Sequence, residues 1–282
     1  MTGNIVIGLI ADIHNGTIEG PKRGDQAIEL LRKALVDFTS SGVDLVIDFG
    51  DRINNGDRES ERTWLQDVGD VFRAYQGRRI HLMGNHDILG LNVGDHEEAL
   101  GEPCISNVVE LNGFKILQWI PDVSIGSKGF EITGDDLIWL RTSLERVDCP
   151  AILVSHIPIS EASMVGNYYF QQFSGGAGNY SNAAAARDLI ETNPWVALCV
   201  SGHVHWNSIH TVGGVRHLTV QSLTESFTTG GEAAGAYGFL SVSPGSVDLE
   251  VCGKDPFRLS VPATFPRRPW PVPLDNYHAT QT

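Results

Sequence analysis

Short apolar segments of this sequence end repeatedly in residues that can bind metal ions. Each segment has the length and the β-branched content of a buried strand. The polar groups that follow them are Asp12-Ile13-His14, Gly50-Asp51, Gly84-Asn85-His86-Asp87, Ser155-His156 and Gly202-His203-Val204-His205. In open α/β sheets, ligands bind at the carboxyl ends of the strands. The sequence therefore predicts one site at one sheet edge, made of carboxylate, amide and imidazole groups.

The spacing of the apolar residues predicts an α/β fold for the N-terminal part. Strands are predicted at 4–11, 43–49 and 79–83, and amphipathic helices at 24–40 and 58–75. Strands that alternate with helices in this way imply parallel strands joined by crossover helices.

The second half of the chain has a different pattern. Asn112-Gly113, a preferred hairpin turn, separates two predicted strands at 108–111 and 114–120. The other predicted elements are helices at 135–146 and 183–191 and strands at 151–154, 195–200, 208–212, 215–220, 237–242 and 247–251. Because we find neither an internal repeat nor a linker, we expect one domain over residues 1–282. It would carry an irregular substrate-side loop at about 157–182 and a Pro-rich, surface-draped tail at about 255–282.

Composition narrows the classes of partner. A hydrophobic content of 41% is that of an ordinary globular protein. The formal net charge of −14 argues against a nucleic acid as partner, although a small phosphate ester could still bind where metal ions supply positive charge. The first strand has none of the features of a secretory signal, so we expect a cytoplasmic protein without membrane contact. The four cysteines form no CxxC pair and are expected to be buried thiols.

Taken singly, most of these motifs are equally typical of turns. The exception is Gly202-His203-Val204-His205, which favours a metal because residues i and i+2 of an extended segment share a face. A metal site is predicted because all five motifs follow apolar strands in one order.

In that order the motifs resemble the signature of the calcineurin-like metallophosphoesterase superfamily, D-x-H, G-D, G-N-H-D/E, a lone H and G-H-x-H, over residues 5–205. The resemblance implies a four-layer α/β/β/α sandwich of two mixed β-sheets flanked by helices. It also implies two divalent metal ions, one held by Asp12, His14 and His205 and the other by Asn85, His156 and His203, with Asp51 bridging them.

The residue types fit that chemistry. Mn²⁺, Fe²⁺ and Zn²⁺ accept mixed carboxylate, carbonyl and imidazole ligands. Two such ions can hold between them a hydroxide that attacks phosphorus. His86 is then the candidate general acid to the leaving oxygen, or a hydrogen-bond donor to the phosphoryl group, with a purely structural histidine as the alternative. Asp87 either orients an imidazole or caps the turn.

The second motif departs from the protein Ser/Thr phosphatase branch, in which it reads G-D-x-x-D-R-G. Here Asn54 stands where a carboxylate would polarise His86, and the following Arg is absent. Asn at this position is similar to the cyclic-nucleotide and glycerophosphodiester phosphodiesterase branch, which favours a small phosphodiester as substrate. The alternatives are a phosphomonoesterase or nucleotide pyrophosphatase on the same site, or a non-catalytic binding protein. Arg52 either approaches the substrate phosphate or is a salt-bridged surface residue.

The loop between the last two motifs should overhang the site. Its aromatic residues could stack on a substrate, and the candidate substrate contacts are Asn54, Tyr168 and Tyr180. Alternatively, the loop aromatics pack within the loop or at a subunit interface, which leaves a homo-oligomer open. Glu225 follows a strand near the predicted site and receives no role from the sequence.

Overall fold

Two six-stranded sheets form the centre of the protein. The computed structural model describes residues 3–172 and 176–271. In these ranges the strands are β1 (Ile5–Ile10), β2 (Ile18–Glu19), β3 (Lys22–Arg23), β4 (Leu45–Asp48), β5 (Arg79–His81), β6 (Asn107–Leu111), β7 (Phe114–Gln118), β8 (Ile125–Gly126), β9 (Gly129–Phe130), β10 (Ala151–Ser155), β11 (Val196–Ser201), β12 (Ser208–Val212), β13 (Val215–Thr219), β14 (Tyr237–Val242), β15 (Ser246–Cys252) and β16 (Phe257–Pro262). The helices are α1 (Ala27–Ser41), α2 (Arg58–Ala74), α3 (Val93–Leu100), α4 (Gly134–Leu144) and α5 (Ala183–Thr192). Short 3₁₀ helices lie at Gly24–Gln26 and His86–Ile88.

Both large sheets are mixed. The first has the strand order β16-β15-β14-β1-β4-β5, and the second has the order β12-β13-β11-β10-β7-β6. In the first sheet, β1, β4 and β5 are parallel, whereas β14 runs antiparallel to β1. In the second sheet, β10 is parallel to β7 and β11, and β11 is parallel to β13. The strands that precede the five motifs therefore run parallel to one another within each sheet.

The apolar side chains divide into layers according to the two-residue period of a strand. Ile7 and Leu9 of β1 pack into the core between the two sheets, which also contains Val154 of β10. Ile10 faces the other way and packs with Phe38 of α1. A further core lies between the second sheet and helices α4 and α5. The predicted four-layer α/β/β/α sandwich is confirmed.

Local sequence signals account for most helix and turn boundaries. The Asp57 carboxylate accepts hydrogen bonds from the backbone N–H of Glu59 and Ser60 and so starts α2. The hairpin turn has Asn112 at φ 49° and Gly113 at φ 87°, as a tight turn of these residues requires. Helix α3 was not predicted, although its Asn92 and Asp95 form a capping box that marks a helix start.

The beginning of the predicted C-terminal tail is an ordered strand. Residues 257–262 form β16, an edge strand whose six backbone positions pair with β15. Its partly buried Phe257, Leu259 and Val261 alternate with exposed residues in the period of a strand, a signal that the prolines in and after the segment obscure. Residues 272–282 of the predicted tail and 173–175 of the predicted loop lie outside the described residues. Within the described ranges, no helix combines the length and apolarity needed to cross a membrane.

Candidate metal centre

The turns after the strands have an unusual backbone conformation. Non-glycine residues with positive φ cost of order 1–3 kcal/mol each and persist only where the surrounding structure holds them. Among the predicted metal ligands they are Asp12 (51°), His14 (48°), Asp51 (51°), His203 (67°) and His205 (58°). Contacts between turns stabilise this backbone, since the His14 N–H donates to the Asp51 carbonyl at 2.9 Å. The fold thus holds a strained backbone at the positions that direct these side chains to the site.

The first group of ligand atoms comes from both sheets. One atom each from Asp12, His14, Asp51 and His205 lies within 4.8 Å of all the others, and all four residues are buried. The Nε2 atoms of His14 and His205 are 3.1 Å apart, and His205 Nε2 is 3.4 Å from Asp12 Oδ1. Ends of β1, β4 and β11 therefore converge on one point.

The second group shares Asp51 with the first. Ligand atoms of Asp51, His156 and His203 lie within 4.8 Å of one another. His156 Nε2 is 3.5 Å from Asp51 Oδ2 and 3.3 Å from Asn85 Oδ1. All seven predicted ligands are brought together, in the division implied by the resemblance, with the carboxylate of Asp51 common to both groups. Their role in binding metal stays a prediction.

The residues present fit two divalent cations. His14 and His205 direct their Nε2 atoms at each other at 3.1 Å in a buried place beside the carboxylates of Asp12 and Asp51. A cation between these atoms would be bound by both nitrogens and would neutralise the carboxylates. Two glycines keep the space open: a Cβ at Gly84 would lie 2.1 Å from Asp51 Oδ1, and one at Gly202 would lie 2.6 Å from Asp12 Oδ2.

Outer hydrogen bonds fix the orientation of the imidazoles. His156 Nδ1 donates to the Phe49 carbonyl at 2.7 Å, and His203 Nε2 donates to the Ala177 carbonyl at 2.7 Å. Each ring therefore keeps its other nitrogen for the ligand cluster. His205 Nδ1 lies 2.8 Å from Glu225 Oε2, which leaves its Nε2 facing Asp12.

Burial and charge separate the pKa values of these imidazoles. Burial acts to lower the pKa of His156, but the Asp51 carboxylate outweighs it and raises this pKa to about 9. Burial also acts to lower the pKa of His205, but the Asp12 and Glu225 carboxylates outweigh it and raise this pKa to about 9. Burial and the charge of His156 lower the pKa of His203 to about 3. Without metal, protonated His156 and His205 thus supply the positive charge that the carboxylates require.

Glu225 is the main residue of the site that has no role in the sequence-based predictions. Its fully buried Oε2 accepts hydrogen bonds from His205 and, at 2.8 Å, from the Tyr169 hydroxyl. Its Oε1 accepts the backbone N–H of Ser226 at 2.7 Å. The signal in the sequence was an acidic residue whose neighbours Thr224 and Ser226 are small and polar, between β13 and β14. Only the fold shows that this segment passes behind His205.

His86 lies at the edge of the ligand groups. Its backbone N–H donates to Asp51 Oδ1 at 2.8 Å, and its Nδ1 meets Asn55 Oδ1 at 2.8 Å. The predicted amide partner was Asn54, and this is wrong by one residue. Asn54 is buried and donates instead to the Thr17 carbonyl at 2.8 Å. Burial lowers the pKa of His86, and the Asp51 carboxylate only partly opposes this.

Asp87 and Arg52 support the turns rather than the cavity. Asp87 accepts the backbone N–H groups of Gly84 and Asp51 at 2.9 Å and that of Arg52 at 2.8 Å, so of its two predicted roles it caps the turn. The Arg52 guanidinium binds Asp48 at 2.6 Å and Asp87 at 3.0 Å. Arg52 is fully buried, so the expected salt bridges are present but the expected surface position is wrong.

A cavity of about 210 Å³ opens onto the two ligand groups. Its lining residues are Lys22, Asp51, Asn85, His86, Ile125, Phe130, Tyr169, Phe170, Ala177, His203 and His205. Three of them belong to the segment 157–182, which overhangs the site as expected.

The structure does not bring Tyr168 and Tyr180 to this cavity. Tyr168 is 63% exposed and stacks on Phe227 with ring centroids 6.0 Å apart. Tyr180 is 1% exposed and packs against Phe130 in the core. The side chain of Asn54 is also turned away, so none of the three candidate substrate contacts lines the cavity. The loop residues that do are the neighbouring Tyr169 and Phe170, a distinction that sequence spacing could not make.

Four layers around paired ligand groups with a shared carboxylate define the class of dinuclear metal-dependent phosphoesterases. A family model agrees: the calcineurin-like phosphoesterase domain matches residues 5–207, and the chain belongs to this family. The predicted resemblance is thereby confirmed. The comparison with curated proteins finds no match.

Solved structures share the fold. A dimetal phosphatase from Danio rerio aligns with a TM-score of 0.72 at 15% identity, covering 92% of this chain and 98% of that one. GAP50, the anchor in the inner membrane complex of Plasmodium, aligns with a TM-score of 0.58 at 12% identity, covering 99% and 93%. TT1561 of Thermus thermophilus aligns with a TM-score of 0.51 at 11% identity, covering 89% and 99%. At these identities the likeness extends to the fold alone.

Proposed function

We propose that this protein hydrolyses a small phosphodiester, such as a cyclic nucleotide, a glycerophosphodiester or a related metabolite. The observation that carries the proposal is the Asp51 carboxylate, which belongs to both ligand groups and faces the cavity beside His86. When bound, two divalent ions such as Mn²⁺, Fe²⁺ or Zn²⁺ would lower the pKa of water and stabilise the attacking and leaving oxygens of an in-line displacement.

The chain's own residues would hold and orient the reacting groups. Asp12, His14 and His205 would hold one ion, Asn85, His156 and His203 would hold the other, and Asp51 would be shared between them. His86 is held by two hydrogen bonds, from its backbone to Asp51 and from its ring to Asn55. Nδ1 donates to the Asn55 side-chain oxygen, so Nε2 can give a proton to the leaving oxygen, or a hydrogen bond to the phosphoryl group, when the ring is protonated on both nitrogens.

Charge and lining favour a diester over a monoester. Lys22 alone among the described cavity-lining residues is a lysine or arginine, so apart from metal ions the cavity offers one permanent positive charge. The ring partner of His86 is an amide, which does not raise the imidazole pKa as a carboxylate would. Ile125, Phe130 and Phe170 form an apolar wall, against which the second organic group of a diester can pack.

The test compares bis(p-nitrophenyl) phosphate with p-nitrophenyl phosphate after the protein is stripped of metal and reloaded with Mn²⁺. We expect diester hydrolysis that requires Mn²⁺, is abolished in Asp51→Ala and falls by about 100-fold or more in His86→Ala. His210→Ala, a partly buried histidine of β12, is the matched control and should leave the rate unchanged.

Two outcomes would contradict the proposal. A preference for the monoester would keep the phosphoesterase and replace the diester by a monoester as substrate class. Absence of hydrolysis of both esters with Mn²⁺, Fe²⁺ and Zn²⁺ would argue for a non-catalytic binding protein.

A further inference from the structure

The side chain of Lys22, which ends in an ammonium group, lines the cavity. It lies on β3, in the two-stranded ribbon that β2 and β3 form after the first metal motif, and it is 5% exposed. Its Nζ is 3.0 Å from Glu19 Oε2, directly across the ribbon. Glu19 is 47% exposed, so the pair joins a cavity-facing cation to a carboxylate that reaches solvent.

The ribbon that carries Lys22 is fixed to the body of the protein. The Arg23 N–H donates to the Thr224 carbonyl at 3.0 Å, and the Ser226 hydroxyl donates to the Pro21 carbonyl at 2.6 Å. These contacts lie on both sides of Lys22 and join the ribbon to the segment that holds Glu225. The backbone of Lys22 is therefore held by the segment whose Glu225 also lies beside the predicted ligand His205.

The side chain of Lys22 faces the candidate reaction centre. It lines the cavity together with Asp51 and His86. A lysine ammonium has three N–H donors. Within the described residues Glu19 is its one ion-pair partner, and no other side chain or carbonyl accepts a hydrogen bond from it. Donors thus remain for a ligand in the cavity.

We propose that Lys22 is a substrate-binding residue, whose ammonium donates to a non-bridging oxygen of the bound phosphoryl group while Glu19 competes for the same cation. The inference rests on the proposed function, because it assigns a contact within the same site. A fixed cation beside a transferring phosphoryl group neutralises charge on its equatorial oxygens. A purely structural pairing of Lys22 with Glu19 is the rival explanation.

The two explanations predict different directions for the effects of two substitutions on phosphate binding. If Lys22 binds phosphate, Lys22→Met should weaken binding, whereas Glu19→Gln should strengthen it, because the ammonium is released from its internal partner. If the pair is only structural, the two variants should act in the same direction, since each breaks the same contact. Lys254→Met is the matched control, because Lys254 pairs with Glu232 at an exposed place away from the cavity.

The experiment measures inorganic phosphate binding by isothermal titration calorimetry, in Mn²⁺-loaded and in metal-stripped protein, with Mn²⁺ content determined in parallel. We expect Lys22→Met to weaken phosphate binding about tenfold and Glu19→Gln to tighten it about threefold, with unchanged Mn²⁺ content. Lys254→Met should match the parent protein.

The inference is overturned if Lys22→Met binds phosphate as tightly as the parent, if both variants weaken it, or if the parent binds none. Failure of the proposed function has a different signature, namely a parent protein that takes up no metal and cleaves neither ester. In that case the titrations of metal-stripped protein still show whether phosphate binding depends on Lys22.

Discussion

Glu225 Oε2 lies 2.8 Å from His205 Nδ1 and 2.8 Å from the Tyr169 hydroxyl. One buried carboxylate oxygen therefore joins a predicted metal ligand to the loop that overhangs the cavity. A carboxylate behind a ligating imidazole fixes the ring and raises its basicity, and its loss typically costs 10- to 100-fold in metal affinity.

We accordingly expect Glu225→Gln to weaken Mn²⁺ binding by about tenfold or more. Tyr169→Phe is the control, because it removes only the hydroxyl bond to Glu225 and should change the affinity by less. The measurement is competition for Mn²⁺ against a chelator of known affinity. Unchanged Mn²⁺ affinity in Glu225→Gln would mean that the carboxylate does not position His205.

Metal uptake should release protons. The pKa values of His156 and His205 are raised to about 9 by neighbouring carboxylates, so both rings are protonated at pH 7 in the metal-free protein and must lose a proton to bind an ion. Apparent Mn²⁺ affinity should therefore rise as the pH increases from 6 towards 9. Calorimetric titrations in two buffers with different ionisation enthalpies measure the released protons, and heats that do not depend on the buffer would contradict this account.

The buried ion pairs of Arg52 should dominate the stability of the turns. Arg52 is fully buried between Asp48 and Asp87, and removal of one partner leaves uncompensated buried charge. We expect Arg52→Met to reduce the free energy of unfolding by about 3–5 kcal/mol, measured by urea denaturation. Arg58→Met, which breaks an exposed pair with Asp95, should cost less than about 1 kcal/mol. Equal effects of the two variants would show that the buried ion pairs of Arg52 contribute no more to the free energy of unfolding than an exposed pair.

How well each site residue can be predicted from the sequence depends on the element of the fold that holds it. Ligands such as Asp12 and His203 come directly after apolar strands, so strand ends and motif order identify them without coordinates. Glu225 lies on an irregular segment between β13 and β14, and Lys22 lies on the short strand β3 that follows the first motif. Neither belongs to a metal-binding motif, and only tertiary packing shows that both lie at the site. Local patterns carry no information about such contacts.

The wrong predictions concern features that the local sequence does not determine. Asn54 and Asn55 are adjacent amides, and which of them faces His86 depends on the turn conformation rather than on residue type. Tyr168 and Tyr169 are likewise neighbours that point to solvent and to the cavity, respectively. Strand β16 is missed although Phe257, Leu259 and Val261 alternate with exposed residues as in a strand, because the prolines in and after the segment are typical of an irregular tail.

His217 should make stability depend on pH. Burial lowers its pKa to about 4, whereas an unfolded histidine has a pKa near 6.5. Between these values only the unfolded chain takes up the proton, so this contribution to the free energy of unfolding is complete above pH 6.5 and decreases as the pH falls towards 4. From pH 6.5 to pH 5 the loss should be about 2 kcal/mol. His217→Gln should show a smaller loss over this interval in urea denaturation, and an identical pH dependence would contradict the assignment.

Asp51 joins the two metal sites in the proposed function, and the metal content of the protein in relation to its activity tests this role. Protein dialysed against Mn²⁺ and then freed of excess metal should contain about two ions per chain, and diester hydrolysis should require both. Asp51→Asn should lower both the bound Mn²⁺ and the hydrolysis. Full metal content and full activity in Asp51→Asn, or full activity with one ion per chain, would contradict the claim.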